Sequence, residues 1–187
     1  MDNKLKILNY LGKHRKPFTM LELSKAVKVP YATFYRTINQ IKDLLTIERV
    51  GKAKTLTLNK SPILKSYLAI SSEEEKKEYL KKQPLLSKIV SELNTQDPIL
   101  LFGSYAKGTQ KEASDIDLLI LNRKGKKSVS FSKYETLFKK RINPIFVTHK
   151  EMKKMLQEKE ENVGKQALKD HVILNNPEGF WEVLLDE

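Results

Sequence analysis

Two aspartates, Asp115 and Asp117, stand on either side of one residue and directly before the apolar run Leu118–Leu121. If this segment is a strand, alternate side chains share a face, so both carboxylates project together. Neighbouring carboxylates repel each other unless a cation lies between them. Hard oxygen ligands select Mg²⁺ or Mn²⁺. The pair therefore predicts a divalent-metal site with Asp115 and Asp117 as ligands.

A glycine and a serine, Gly103 and Ser104, follow the apolar segment Ile99–Phe102 and precede Asp115 by ten intervening residues. Glycine allows a backbone to approach a ligand closely, and a helix that begins at Ser104 would direct free amides toward an anion. A phosphate cradle facing a metal-binding pair is the arrangement of a metal–nucleoside triphosphate site. A Walker-type P-loop is excluded because Thr109 stands where its lysine is required. A helix cap beside a surface Asp pair is the alternative.

The full pattern is Gly-Ser, ten residues and then Asp-x-Asp, in strand–helix–strand order. It resembles the DNA polymerase beta-like nucleotidyltransferase superfamily, in its minimal nucleotidyltransferase branch. The resemblance covers residues 85–150. It implies that Gly103 and Ser104 bind the β- and γ-phosphates and that Asp115 and Asp117 bind two divalent metals and are the catalytic residues. The implied reaction is in-line transfer of a nucleotidyl group, AMP from ATP or its counterpart from another NTP, to a protein or small acceptor.

One position departs from the family pattern, which places a third carboxylate on a later strand. The corresponding strand is Arg141–Val147, and Asn143 occupies the acidic position. An amide can coordinate Mg²⁺ through its oxygen, but it carries no charge and is no base. The resemblance implies that this change spares triphosphate binding and weakens transfer. Glu112 and Glu135 are alternative carboxylates that the pattern does not place in the site.

The positive charge is concentrated at the front of the chain. The chain has 35 Lys and Arg and 23 Asp and Glu, a net charge of +12. Residues 1–60 contain 13 of the basic residues and 4 of the acidic ones. A local positive field favours polyanionic partners, and nucleic acid above all. The alternative is a lysine-rich composition that coats every surface alike, and the nearly neutral remainder argues against it.

The same front segment has the element order of a DNA-binding module. The sequence predicts, in order, a helix with apolar Leu5, Leu8 and Leu11, a helix opened by the capping box Thr19–Glu22, a helix Tyr31–Leu45, and strands Thr46–Val50 and Thr55–Leu58. This order resembles the winged helix-turn-helix family over residues 3–59. The resemblance implies that the third helix enters the major groove of double-stranded DNA and that the hairpin contacts its backbone.

Carried to this sequence, the resemblance gives a set of polar residues on the third helix and basic residues on the wing. They are Tyr31, Thr33, Arg36, Thr37 and Gln40 on the helix, with Arg49, Lys52 and Lys54 on the wing. A solvated surface or a protein-docking surface is the alternative for this face.

The sequence as a whole predicts an α+β chain: a winged helix-turn-helix over residues 1–60, a helical connector over 61–94 and a nucleotidyltransferase α/β domain with a mixed sheet over 95–187. Ser72–Glu75 predicts one helix start inside the connector, and Pro84–Leu93 predicts a further helix.

Several classes of protein are excluded by composition. The chain contains no cysteine, which rules out disulfides and thiolate sites, and its three histidines are scattered. Its apolar runs are far shorter than the roughly 18 residues of a membrane span, and its first residues lack the apolar stretch of a signal peptide. We therefore expect a cytoplasmic protein with no membrane partner.

Two functional hypotheses remain. One is an Mg²⁺-dependent nucleotidyltransferase, which we take as the working assignment because Gly-Ser and Asp-x-Asp are intact. The other is a DNA-binding transcription regulator whose second domain only binds nucleotide or a partner, which Asn143 and the basic front segment favour. The Ile-Asn-Pro variant behind a winged helix resembles a recurrent archaeal and bacterial arrangement of regulatory type. Stand-alone minimal nucleotidyltransferases, by contrast, resemble antitoxins that add AMP to a HEPN-type toxin, which makes a toxin-like protein a further candidate partner. A homodimer is expected by analogy with helix-turn-helix proteins.

Overall fold

The structure is a computed structural model that describes residues 1–51 and 53–185. The chain divides into two compact units, Met1–Ser71 and Ser72–Glu187. Each unit is described by itself below.

The first unit combines three helices with a small antiparallel sheet. Its elements in chain order are α1 Asn3–His14, β1 Phe18–Thr19, α2 Met20–Ala26, α3 Tyr31–Gln40, β2 Leu45–Val50 and β3 Ala53–Leu58. The strand order is β1-β3-β2. The capping box at Thr19 and Glu22 is present, with both reciprocal hydrogen bonds. The three helices and the β2–β3 hairpin follow one another as expected, whereas β1 was not predicted; the winged helix-turn-helix assignment stays a prediction.

The third helix is shorter than the sequence indicated. Apolar spacing predicted a helix to Leu45, but α3 ends at Gln40 and a single 3₁₀ turn, Lys42–Leu44, follows it. Leu45 instead begins β2, where it pairs with Leu58 of β3. Tertiary pairing of the strand thus overrides the helical periodicity.

A long helix, α4, runs without interruption over Leu64–Leu80, so the predicted helix start at Ser72 is wrong. Ser72 is buried, and its hydroxyl accepts a hydrogen bond of 2.9 Å from the indole N–H of Trp181, which lies in the second unit as Ser72 does. The serine is therefore engaged by a residue far along the chain rather than capping a helix.

The second unit is built on a four-stranded mixed sheet, as expected. After α4, its elements are α5 Pro84–Ser91, β4 Ile99–Phe102, α6 Gly103–Lys107, β5 Ile116–Leu121, α7 Ser132–Phe138, β6 Ile142–Val147, α8 His149–Gln157, α9 Val163–Lys169, β7 Val172–Asn175 and α10 Pro177–Leu185. The strand order is β6-β5-β4-β7; β5 and β6 are parallel, and the other pairs are antiparallel.

The registers of the central strands position the candidate site. Phe102, the last residue of β4, pairs with Asp117 of β5, and Asp117 pairs on its other side with Asn143 of β6. One sheet face packs against α5 and α7 in a buried cluster that includes Leu86 and Tyr134. The central strands are buried, so burial of apolar surface fixes where their polar ends lie.

Within the residues that the structure describes, we find no helix with the length and apolar character needed to cross a bilayer.

Replacing Ser72 with alanine is expected to destabilise the second unit by about 1–3 kcal/mol, because the buried Trp181 N–H loses its partner. Urea unfolding monitored by fluorescence measures this change, since Trp181 is the sole tryptophan. The matched control is Ser91→Ala, which removes an exposed hydroxyl bonded to the Lys88 carbonyl. Equal free energies of unfolding for the two variants would contradict the role assigned to Ser72.

Candidate functional site

The turn from β4 into α6 requires a glycine for two separate reasons. Gly103 has a φ of +70°, in the left-handed region that side chains disfavour. A Cβ on Gly103 would also lie 2.5 Å from Oδ2 of Asp117, closer than real contacts allow. Only a residue without a side chain lets this carboxylate lie against the backbone of the turn. Ser104 follows in α6 and is half-buried.

Asp117 has an amide neighbour on the adjacent parallel strand. The Asn143 side-chain N–H donates a hydrogen bond of 3.3 Å to Oδ1 of Asp117. Asp117 is half-buried, whereas Asn143 is exposed. The parallel register therefore presents a neutral amide at the position where a carboxylate on β6 would face Asp117.

Asp115 lies one residue before β5, at the margin of this arrangement. Its Oδ2 is 3.9 Å from Nε of Arg141, and its side chain is 42% exposed. At this distance and exposure the ion pair is weak and solvent-screened. Asp115 keeps its carboxylate available to a cation, while Gly103, Asp117 and Asn143 are the site residues that the structure brings together.

A cavity of about 530 Å³ opens over these residues. Its lining comes from the last residue of β4, from the first part of β5 and β6, from α6 and α9, and from the segment before α9. The lining residues are Phe102, Gly103, Lys107, Asp117, Asn143, Ile145, Glu161, Val163, Gln166 and Lys169. The size is that of a small-molecule site.

Four polar lining residues were not among the site residues predicted from sequence: Lys107, Glu161, Gln166 and Lys169. Lys107 lies among the ten residues between Gly-Ser and Asp115, so the sequence motif could have indicated it. The others lie on or before α9, more than forty positions after Asp117, and no local pattern marks them. The two lysines bring positive charge to a lining that also carries the carboxylates of Asp117 and Glu161, and the ammonium of Lys107 lies 3.9 Å from Oδ2 of Asp170.

Neither alternative carboxylate lines the cavity. Oε1 of Glu135 accepts a hydrogen bond of 2.9 Å from the backbone N–H of Ile142, and the Glu112 carbonyl accepts one from Lys140. Among residues 1–51 and 53–185, no group of three or more His, Asp or Glu side chains could hold a metal ion. Mg²⁺ is commonly held by one or two carboxylates together with substrate phosphates. Of the two predicted ligands, Asp117 lines the cavity and Asp115 does not, so a metal held by both carboxylates stays a prediction.

On the first unit, the structure exposes part of the predicted DNA-facing set. Tyr31, Arg36 and Gln40 are exposed on α3, and Arg49 and Lys54 are exposed at paired positions of β2 and β3. Lys52 lies outside the described residues. Tyr35, which the prediction omitted, is also exposed, one helical turn after Tyr31.

Thr37 corrects the predicted polar face. Its side chain is buried, at 7% exposure, and its hydroxyl donates a hydrogen bond of 2.9 Å to the Thr33 carbonyl. Thr33 itself is half-buried. A threonine in a helix often satisfies its hydroxyl on the preceding turn, so polarity alone did not indicate exposure.

Gly103→Ala is expected to lose Mn²⁺–ATP binding, because the new methyl group displaces Asp117. Gly108→Ala is the matched control: Gly108 has nearly the same φ, +69°, but a Cβ there would meet nothing within 4 Å. Both variants pay a backbone cost of about 1–2 kcal/mol, so thermal unfolding should report similar losses of stability.

Calorimetric titration with Mn²⁺–ATP then separates the two variants. Equal retention of binding by both would contradict the role assigned to the contact between Gly103 and Asp117.

A sequence model of the family described as "Nucleotidyltransferase domain" matches residues 84–184, more than half of the chain. The matched segment runs from α5 into α10 and includes every strand of the mixed sheet and every residue lining the cavity. Comparisons with curated proteins and with solved structures gave no match. The chain therefore belongs to the nucleotidyltransferase domain family, and this membership supports nucleotidyl transfer as its general function.

Proposed function

We propose that the protein transfers a nucleotidyl group, AMP from ATP, to a hydroxyl of a protein or small acceptor in an Mg²⁺-dependent reaction, and that its first unit binds double-stranded DNA. The observation that carries the transfer proposal is the close approach of Asp117 to Gly103 in the lining of the cavity. This contact supports the proposal because it joins the two halves of the sequence motif, the turn proposed to bind phosphate and the carboxylate proposed to bind metal.

The proposed roles of the site residues follow from their charge. Asp115 and Asp117 would hold Mg²⁺, or Mn²⁺ in its place, and Gly103 and Ser104 would bind the β- and γ-phosphates. When bound, the metal neutralises phosphate charge and activates the acceptor hydroxyl. Lys107 and Lys169 line the same cavity and add positive charge for the pyrophosphate that leaves.

A second candidate function is nucleotide sensing without transfer, in a DNA-binding regulator. The observation that favours it is Asn143, which donates a hydrogen bond to Asp117 instead of facing it with a third carboxylate. In this case the cavity would bind Mg²⁺–ATP, and the consequence of binding would be a change in DNA affinity.

Label transfer from α-labelled ATP with Mg²⁺ into a lysate of the source cells distinguishes the two candidates. Label on a discrete acceptor, lost in Asp117→Asn, is the result that transfer predicts. Absence of label, with Mg²⁺-dependent thermal stabilisation by ATP retained in the wild type, is the result that sensing predicts. Asp117→Asn should lose this stabilisation under both, and an unaltered shift would refute the metal assignment.

Asn143→Asp tests the missing carboxylate directly. It exchanges an amide for an isosteric carboxylate beside Asp117, and we expect label transfer to rise by at least about tenfold because metal affinity increases at that end of the cavity. Single-turnover label transfer, with Mg²⁺ titrated, measures the gain. The control is Asn122→Asp, an asparagine outside the cavity whose amide bonds Lys126 and Ser128. A drop in transfer would show that the amide is the group the site requires.

The DNA proposal rests on the exposed basic residues Arg36, Arg49 and Lys54 of the first unit. Replacing Arg36, Lys52 and Lys54 with alanine should weaken duplex binding. The slope of log affinity against log salt should become shallower by about 3, because each lost phosphate contact removes about 0.9 from it. Fluorescence anisotropy at several salt concentrations measures this slope.

The charge-matched control replaces Lys150, Lys154 and Lys159, three exposed lysines of the second unit. Unchanged duplex binding by the first triple variant, or an equal loss in both, would refute the assignment of this surface.

A further inference from the structure

Glu161 lies in the segment between α8 and α9 and lines the same cavity as Asp117 and Asn143. Its side chain is exposed and forms no hydrogen bond or ion pair with any residue in the described part of the chain. Of the lining residues, Asp117 and Glu161 are the two that carry a carboxylate. Since Asp117 is assigned to the metal, Glu161 is the carboxylate that the proposed function leaves unused.

The backbone around Glu161 is held firmly, although the segment is a surface connection. The side chain of Asn162 accepts a hydrogen bond of 3.0 Å from Lys165 N–H and donates one of 2.7 Å to the Met155 carbonyl. The Lys165 ammonium donates to the Glu160 carbonyl at 2.9 Å. These contacts restrain the backbone on both sides of Glu161.

Close packing of α8 on α9 adds to this restraint. A Cβ on Gly164 would lie 2.9 Å from Cβ of Met155, so the glycine permits an approach of the two helices that no larger residue would allow. A reactive carboxylate must be held in place to act, and fixed positioning contributes strongly to catalysis. The packing of α8 on α9 thus restrains the backbone that carries Glu161.

We propose that Glu161 is the general base that deprotonates the acceptor hydroxyl, in place of the carboxylate that β6 lacks; this inference rests on the proposed transfer function. The hydroxyl proton passes to a carboxylate oxygen of Glu161 as the hydroxyl oxygen forms a bond to the α-phosphorus of ATP. The bond from that phosphorus to the oxygen bridging to the β-phosphate breaks, and pyrophosphate leaves with the electron pair. Asn143 cannot take this proton, because an amide is not a base at neutral pH.

The inference also predicts where the acceptor enters. Glu161 belongs to the α9 side of the cavity, whereas Asn143 and Asp117 lie on the sheet. The acceptor hydroxyl therefore approaches from the segment between α8 and α9.

The test compares Glu161→Gln with Glu160→Gln in the full-length protein. Glu160 is the neighbouring exposed glutamate, and it does not line the cavity. We expect Glu161→Gln to lower single-turnover label transfer from α-labelled ATP at least about 100-fold, the scale of general-base catalysis. The dissociation constant for Mg²⁺–ATP, measured by calorimetry, should stay within about twofold, and Glu160→Gln should match the wild type in both measurements.

Each other outcome overturns the inference in a distinguishable way. Transfer by Glu161→Gln near the wild-type rate removes Glu161 from the reaction and leaves the proposed function standing. Loss of Mg²⁺–ATP binding in Glu161→Gln shows that Glu161 binds the metal–nucleotide complex and is not the base. Absence of transfer by the wild type, with Mg²⁺–ATP bound, overturns the transfer function and the base together.

Discussion

The contact between the Asp117 carboxylate and the backbone of Gly103 is the constraint on which the candidate site depends. It requires a residue without a side chain at 103, a positive φ there, and strands β4 and β5 paired so that Phe102 lies opposite Asp117. Burial of the apolar residues on both strands maintains that pairing. A side chain at position 103 would therefore move the Asp117 carboxylate from its place.

The parallel pairing of β5 with β6 determines what faces Asp117 from its other side. There the chain has Asn143, a neutral donor, and the two carboxylates of the cavity lining are Asp117 on β5 and Glu161 before α9. Lys107 and Lys169 offset that charge, and under the proposed function they would face the phosphates. The proposed transfer and sensing functions share this binding arrangement and differ only in whether a base reaches the acceptor.

The Gly-Ser turn and the Asp-x-Asp strand could be predicted because each depends on local pattern, and the mixed sheet was expected from the family resemblance. Three predictions were wrong because contacts outside the local pattern decided them. Strand pairing ended α3 early, and a hydrogen bond from Trp181 engaged Ser72 inside a longer helix. A hydrogen bond within α3 accompanied the burial of Thr37. Glu161, Gln166 and Lys169 could not be predicted, because the packing of α9 beside β4 brings them to the site from far along the chain.

A diffraction structure of the protein with Mg²⁺ and a non-hydrolysable ATP analogue would test the central claim most directly. The account predicts a metal ion about 2.0–2.1 Å from a carboxylate oxygen of Asp117, with the terminal phosphates against Gly103 and Ser104. A nucleotide bound outside this cavity, or bound within it with no metal contact to Asp117, would contradict the account.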